Sequence, residues 1–317
     1  MSKNRLIAAS VLILAGSLLF VGVMMVLGWD FSKLSTVDYE TNEYAIDTAY
    51  ENISVVTDTA DVTLVLSQDT KSSVVCYEEK ALKHTVSVEN DTLFINLEST
   101  KQWYEYIGIN FDTPQITLCI PQKSYGTLSI QTSTGDVRVA DQLAFESVDI
   151  TGSTGDVTSR ASVSGLTKIA MSTGDIDISN AKLGALELSL STGDMELSNV
   201  ICEADAFLNV TTGDVEVSDF QCGSFFSSGS TGDIVLKNTI AAGSMSIQRT
   251  TGDIRFEQSD AAELYVKSGT GDVTGSLLSK KRFATESNTG DIAVSNSELG
   301  GHCEIVTNTG DIRINTP

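Results

Sequence analysis

From residue 133 onward, apolar side chains fall two residues apart in short bursts that recur every 19 or 20 residues. Each burst is registered on the tripeptide Thr-Gly-Asp, which occurs ten times. Its glycines are Gly135, Gly155, Gly174, Gly193, Gly213, Gly232, Gly252, Gly271, Gly290 and Gly310. Two residues after each glycine the side chain is apolar without exception, from Val137 to Ile312. Four residues after it, and five and seven before it, the preference persists, so that 35 of 40 residues in these columns are apolar or cysteine.

A separation of two is strand spacing, because alternate side chains of a strand share a face. Each repeat therefore predicts two short strands. One is bounded by the Thr-Gly-Asp corner, the other by turns such as Ser179-Asn180, Ser198-Asn199, Ser218-Asp219 and Ser295-Asn296. Asn180, Asn199, Asp219 and Asn238 are expected to form a stacked turn ladder. Neither strand can bury its apolar face alone. Stacking like coils about 4.8 Å apart gives every strand a parallel neighbour and turns the columns into one continuous core. The predicted fold is all-β, a parallel β-solenoid of ten regular coils. Right-handed coiling is expected, since parallel crossovers strongly prefer that hand. A propeller is the structural rival, but its blades need about 40 residues each.

The chain before this array reads differently. Residues 38–132 keep strand patterns without the repeat, which predicts irregular coils and a cap. Thr59-Ala60-Asp61 looks like a decayed corner 75 residues before Gly135, close to four periods away, and Val86 to Ile95 reads as strand, turn, strand. At the far end the pattern leaves an exposed final coil, expected to be a site of self-association.

Leu6 to Leu27 is an uncharged run of 22 residues, long enough to cross a hydrocarbon core of about 30 Å. Lys3 and Arg5 precede it, and Trp29 and Asp30 follow. Cations on the short side place residues 1–5 in the cytoplasm and the bulk of the chain outside. A cleaved signal peptide would have a shorter apolar region and a small-residue cleavage site. The expected organisation is a tail (1–5), a single-pass cell-membrane anchor (6–27), a linker (28–37), the irregular β region (38–132) and the regular solenoid (133–317).

Charge narrows the partners. Twenty Lys and Arg against 42 Asp and Glu give a net charge of −22, and the segment beyond Arg5 is two units more negative still. Nucleic acid is excluded as a partner by repulsion. An apolar content of 41% excludes wholesale disorder. Two histidines and five scattered cysteines leave little for nucleophilic or metal chemistry.

The corner itself has two readings. Structurally, glycine permits a positive φ, threonine suits a strand end, and aspartate accepts backbone N–H groups that a turn leaves open. Alternatively, Asp136, Asp156, Asp175, Asp194, Asp214, Asp233, Asp253, Asp272, Asp291 and Asp311 form a calcium-binding ladder. Calcium takes six to eight oxygen ligands, and one aspartate per coil falls short of that, so the structural reading is preferred and no cofactor is expected. The alikeness of the ten aspartates also argues against catalysis, which needs one acid set apart from its neighbours.

Cys202 and Cys222 lie nine residues after their glycines in adjacent repeats, a placement that permits a disulfide but equally suits small buried residues. Cys76, Cys119 and Cys303 make the count odd. His302 beside Cys303 is not a dyad, because adjacent strand residues face opposite sides, and His84 stands alone in the sequence. Trp103, Tyr104 and Tyr106 form the densest aromatic cluster, suited to packing within the cap or to stacking on sugars.

The pattern resembles the bacterial "putative adhesin" β-strand-repeat family of envelope proteins. The resemblance is carried by the apolar segment followed by Gly28-Trp-Asp-Phe-Ser-Lys-Leu34, by Asp91-Thr-Leu-Phe-Ile95, by Ile116-Thr-Leu-Cys-Ile-Pro121, and by Leu128-Ser-Ile130 leading into Ser133-Thr-Gly-Asp-Val137. It implies surface attachment and carries no catalytic residues with it. The leading expectation is therefore a membrane-anchored, extracytoplasmic, non-catalytic module that binds a surface protein or polysaccharide along its regular face. The second is an envelope-stress sensing or regulatory subunit acting through a membrane partner, and the third a polysaccharide-active enzyme.

Overall fold

The computed structural model describes residues 3–30, 37–99, 112–295 and 297–317. They form one helix and 24 strands, and the strands all belong to a single hydrogen-bonded sheet system.

Lys3–Val26 is helical, and within it Ala9–Val26 has a mean hydropathy of 2.5, long and apolar enough to cross a membrane.

In the regular array every strand lies parallel to its counterpart one repeat away. Ile176 faces Met195, Met195 faces Val215, Val215 faces Ile234 and Ile234 faces Ile254 as Cα partners. The columns two and four residues after the glycine, and seven and five before it, point inward, and outside the end layer their apolar members are buried, among them Ile176, Ile178, Leu186 and Leu188. The structure adds inward columns beyond those four. One runs Ala181, Val200, Phe220, Thr239, and another runs Leu183, Cys202 on one side and Cys222, Ala241 on the other.

Each coil bends at three places. The Asn column supplies one bend: Asn180, Asn199, Asp219 and Asn238 all have φ between 46° and 54°. Asn and Asp tolerate this left-handed region better than other side chains. Asn199 Nδ2 donates to Asn180 Oδ1 at 2.8 Å, and Asn238 Nδ2 to Asp219 Oδ1 at 2.6 Å, so the turn ladder is present; Asn296 lies outside the described residues. The third bend, near Gly184 and Gly243, absorbs the alternation of 19 and 20. Ala241 pairs with Ala261 twenty residues on, whereas Ser244 pairs with Glu263 nineteen on.

Spatial order departs from chain order at both ends. Leu264 pairs with Cys303 and Thr270 with Thr309, while Phe283 pairs with Cys303 from the opposite side. The coil 301–315 therefore sits between coil 254–277 and coil 281–294. The expectation of an exposed final coil is corrected: the end layer is formed by Lys281–Thr289 and Ile292–Val294. Composition explains the choice. Coil 301–315 carries Cys303, Ile305, Ile312 and Ile314, all fully buried, whereas the end layer places Thr285 in the column of Val266 and Ile305 and leaves Ile292 45% exposed. A layer covered on one face only loses less when its inward column contains a polar residue. Lys281 anchors the crossing, its ammonium buried 2.6 Å from Asp260 Oδ1.

The other end is permuted in the same sense. Ile53 pairs with Leu93 on one side and Leu128 on the other, and Val62 with Ile116 and Val137. The coil made by Asn52–Val56 and Asp61–Leu66 is thus sandwiched between later segments. Thr59-Ala60-Asp61 is a corner, as its sequence suggests, but it lies one layer from Gly135, not four. Tyr39–Ile46, Ser72–Glu79 and Leu82–Glu89 pair antiparallel with their neighbours and close this end. Leu82–Glu89 and Thr92–Ser99 form the expected hairpin, turning at Asn90 and Asp91 with φ of 48° and 59°.

Candidate functional site

The most repeated feature is the Thr-Gly-Asp corner, and its geometry is uniform. The ten glycines have φ between 121° and 150°. In each the position of a Cβ is already occupied by a carbonyl: at Gly213 it would lie 1.9 Å from the Gly193 oxygen. Glycine is needed here for close approach between coils as well as for its dihedral freedom. The aspartate beside it spans the same gap. Asp156 N–H donates to Asp136 Oδ1 at 3.0 Å, and Asp175 to Asp156 and Asp194 to Asp175 at 2.9 Å. The series passes through Asp214, Asp233, Asp253 and Asp272 at 2.7–2.8 Å, then to Asp311 and last to Asp291 at 2.7 Å. At the other end Asp136 N–H donates to Asp61 Oδ1 at 2.9 Å. These charge-assisted bonds offset the repulsion between stacked carboxylates. Every carboxylate in the series that accepts such a bond does so through Oδ1, and at Asp136 and Asp311 the other oxygen also meets an arginine two residues on, Arg138 at 2.7 Å and Arg313 at 2.5 Å.

The less regular surface is an outward face on the strand that precedes each corner. Lys168, Glu187, Phe207 and Phe226 are successive Cα partners in one column, which continues through Ser246 and Tyr265 to Glu304. Outward positions of a strand ordinarily carry polar residues, so two adjacent phenylalanines are the anomaly. Their rings stack 4.7 Å apart and 5° from parallel, with Phe207 45% exposed. Small residues flank them, Ala170, Ser189 and Ser228, and open a groove of about 450 Å³ bordered by Lys168, Glu187 and Asn209. Ser228 Oγ donates to Asn209 Oδ1 at 3.2 Å. Two coils beyond Phe226, Tyr265 faces a second groove of about 180 Å³, with Ser246, Gln248 and Lys267 on its walls. The Tyr265 ring centroid is 5.7 Å from that of His302, and its hydroxyl donates to Glu263 Oε2 at 2.9 Å. This arrangement offers apolar ring surface with hydrogen-bonding groups around it on an open, extended face.

The remaining sequence candidates fall out as follows. Cys202 and Cys222 are buried free thiols in the structure, not a bridge. Cys202 Sγ lies 3.4 Å from the Gly184 carbonyl oxygen, and burial, the larger cause, with nearby Cys202 and Asp205 pushes the Cys222 thiol up to about 12. Cys303 is fully buried and its thiol is likewise pushed up to about 12 by burial, whereas neighbouring His302 approaches Glu304 Oε2 at 3.6 Å on the outer side. The two do not meet. Trp103, Tyr104 and Tyr106 lie outside the described residues. His84, isolated in the sequence, is brought by the cap into contact with Glu78 and near Cys76. The Phe207–Phe226 pair was missed by a reading centred on inward columns. Its signal was present as two aromatic residues at the same outward place in consecutive repeats.

Several solved structures are similar to this chain over most of its length. A "putative adhesin" from Bacteroides fragilis is 16% identical, with 88% of this chain and 97% of that one covered and a TM-score of 0.41. A "putative lipid binding protein" from Parabacteroides distasonis is 17% identical, with 89% and 98% covered and a TM-score of 0.48. A "putative adhesin" from Parabacteroides merdae is 9% identical over 88% and 97%, with a TM-score of 0.35. No curated protein matches the chain. The Toastrack DUF4097 family matches residues 50–223 and 207–317. Those two matches cover nearly all of the β region, and the chain belongs to the Toastrack DUF4097 family.

Proposed function

We propose that this chain is a membrane-anchored surface-binding module that engages an extended neutral glycan along the face bearing Phe207, Phe226 and Tyr265. The observation that carries the reading is the Phe207–Phe226 stack in an outward column among whose other members are Lys168, Glu187, Ser246, Tyr265 and Glu304. Ring faces and edges pack against the C–H faces of sugars, while Asn209, Ser228 and Lys168 lie within the same groove to meet hydroxyl groups. Phe226 and Tyr265 are two coil steps apart, about 10 Å along the rod, so neighbouring contacts favour a polymer over a monosaccharide. The net charge of −22 disfavours polyanionic ligands.

Anchoring rests on the helix, whose apolar stretch Ala9–Val26 follows Lys3 and Arg5. The asymmetry of charge puts the N-terminus in the cytoplasm and the rod outside. Adhesion is the physiological role that such a module serves. The test is retention of the detergent-solubilised chain on a panel of purified neutral polysaccharides, with Phe207→Ala/Phe226→Ala alongside. Retention by at least one polymer, lost in the double variant, supports the reading. Absence of retention on every polymer, or retention indifferent to the substitution, overturns it.

A further inference from the structure

The cap contains a cluster of groups that the binding face does not use. Cys76 and Glu78 occupy alternate inward positions of Ser72–Glu79, and His84 lies on Leu82–Glu89. They are 0%, 1% and 3% exposed. One ligand atom from each, a thiol sulfur, a carboxylate oxygen and an imidazole nitrogen, lies within 4.8 Å of the other two. Glu78 Oε2 accepts from the His84 backbone N–H at 2.7 Å and is also 2.7 Å from His84 Nδ1. Asn42 Nδ2 donates to the other carboxylate oxygen at 2.8 Å, and Thr57 Oγ1 is 3.0 Å from His84 Nε2.

We propose that Cys76 Sγ, a Glu78 carboxylate oxygen and His84 Nδ1 form a binding site for a divalent transition metal of the zinc type. Mixed sulfur, nitrogen and oxygen ligation suits zinc and cobalt, and hard cations such as calcium and magnesium poorly. Charge favours it as well. A thiolate, a carboxylate and a neutral imidazole around a dication sum to zero, which suits a site from which water is excluded. The outer partners are already in place. With metal on Nδ1, the imidazole proton resides on Nε2 and is donated to Thr57 Oγ1, while Asn42 holds the carboxylate, the arrangement by which outer groups orient metal ligands. Proton balance follows. Burial, the larger cause, and Glu78 push the Cys76 thiol up to about 12, so it is protonated in the metal-free protein. Binding forms the metal–sulfur bond and releases that proton to solvent. The site shares no residue with the glycan face.

The experiment uses the full chain in detergent, stripped with a chelator under reducing conditions and titrated with Co²⁺. One equivalent should produce a thiolate-to-cobalt charge-transfer band, displaced by Zn²⁺. Cys76→Ser should abolish the band, and Cys303→Ser, which alters another fully buried thiol, should leave it intact. Thr57→Val should weaken zinc binding by roughly 10- to 100-fold. A wild-type chain that shows no such band overturns the proposal, as does a band that survives Cys76→Ser. Neither outcome depends on whether the chain binds a glycan.

Discussion

Asp272 Oδ1 accepts the backbone N–H of Asp311 at 2.7 Å, although 39 residues separate them and Asp291 lies between them in sequence. Asp311 in turn accepts from Asp291 at 2.7 Å. The corner ladder thus records the order of layers directly, and that order places the last coil of the chain inside the rod. The first coil, through Asp61 and Asp136, is enclosed in the same way. Both permutations place coils from the ends of the β region between two layers, where they cannot fray without disturbing a second coil.

The layer order predicts which engineered disulfides form. Thr270 and Thr309 are Cα partners, as are Thr309 and Thr289. Parallel neighbours lie about 4.8 Å apart, inside the range of a disulfide, and second neighbours at about 9.6 Å lie outside it. Thr270→Cys/Thr309→Cys should oxidise to a bridge and Thr270→Cys/Thr289→Cys should not, as read by non-reducing peptide mapping. The converse pattern would restore chain order.

Gly213→Val should destabilise far more than Ser218→Val. Gly213 has φ of 142° and no room for a Cβ beside the Gly193 carbonyl, whereas Ser218 is partly exposed in the middle of its strand, next to the bend at Asp219. The expected loss is at least ~3 kcal/mol for the glycine variant and below ~1 kcal/mol for the serine variant, measured by denaturant unfolding. Similar midpoints would contradict the close-packed corner.

All five cysteines are free, so the denatured, unreduced protein should titrate five thiols. Cys222 and Cys303 also make stability depend on pH. Burial raises both from 9.0 to about 12. Below pH 9 each thiol keeps its proton folded or unfolded, and the full stability is present. Between about pH 9 and 12 the unfolded thiol ionises first, so stability falls as pH rises. Cys222→Ala/Cys303→Ala should flatten that decline in thermal melts, at a lower overall stability.

The aspartate ladder gives a further expectation. Hydrogen bonds from each next coil engage Oδ1 at 2.7–3.0 Å, so screening is what added cations should contribute. Millimolar calcium should raise the melting temperature no more than sodium at matched ionic strength. A larger calcium effect would favour the ladder as a metal site.

The parallel solenoid was legible in the sequence because a period and an alternation together define which residues face inward and which repeats share a register. Layer order was not, since identical corners stack equally well in any sequence. Only secondary cues, such as Thr285 in an apolar column, distinguish an end layer from an internal one. The Phe207–Phe226 face was visible as a coincidence between repeats, but its meaning depends on knowing that Lys168 and Asn209 border the same groove. Cys76, Glu78 and His84 follow no repeat. They meet because Ser72–Glu79 and Leu82–Glu89 pair with two different strands of one layer, Gln115–Ile120 and Thr92–Ser99, and no spacing rule encodes that meeting.

The most direct test of the binding role is calorimetric titration of a retained polysaccharide fragment into three chains: wild type, Phe207→Ala/Phe226→Ala, and the corner variant Asp194→Asn. The account predicts at least a tenfold loss of affinity in the phenylalanine variant, equivalent to about 1.4 kcal/mol, with the corner variant unchanged. Loss in Asp194→Asn with full affinity in Phe207→Ala/Phe226→Ala would contradict it.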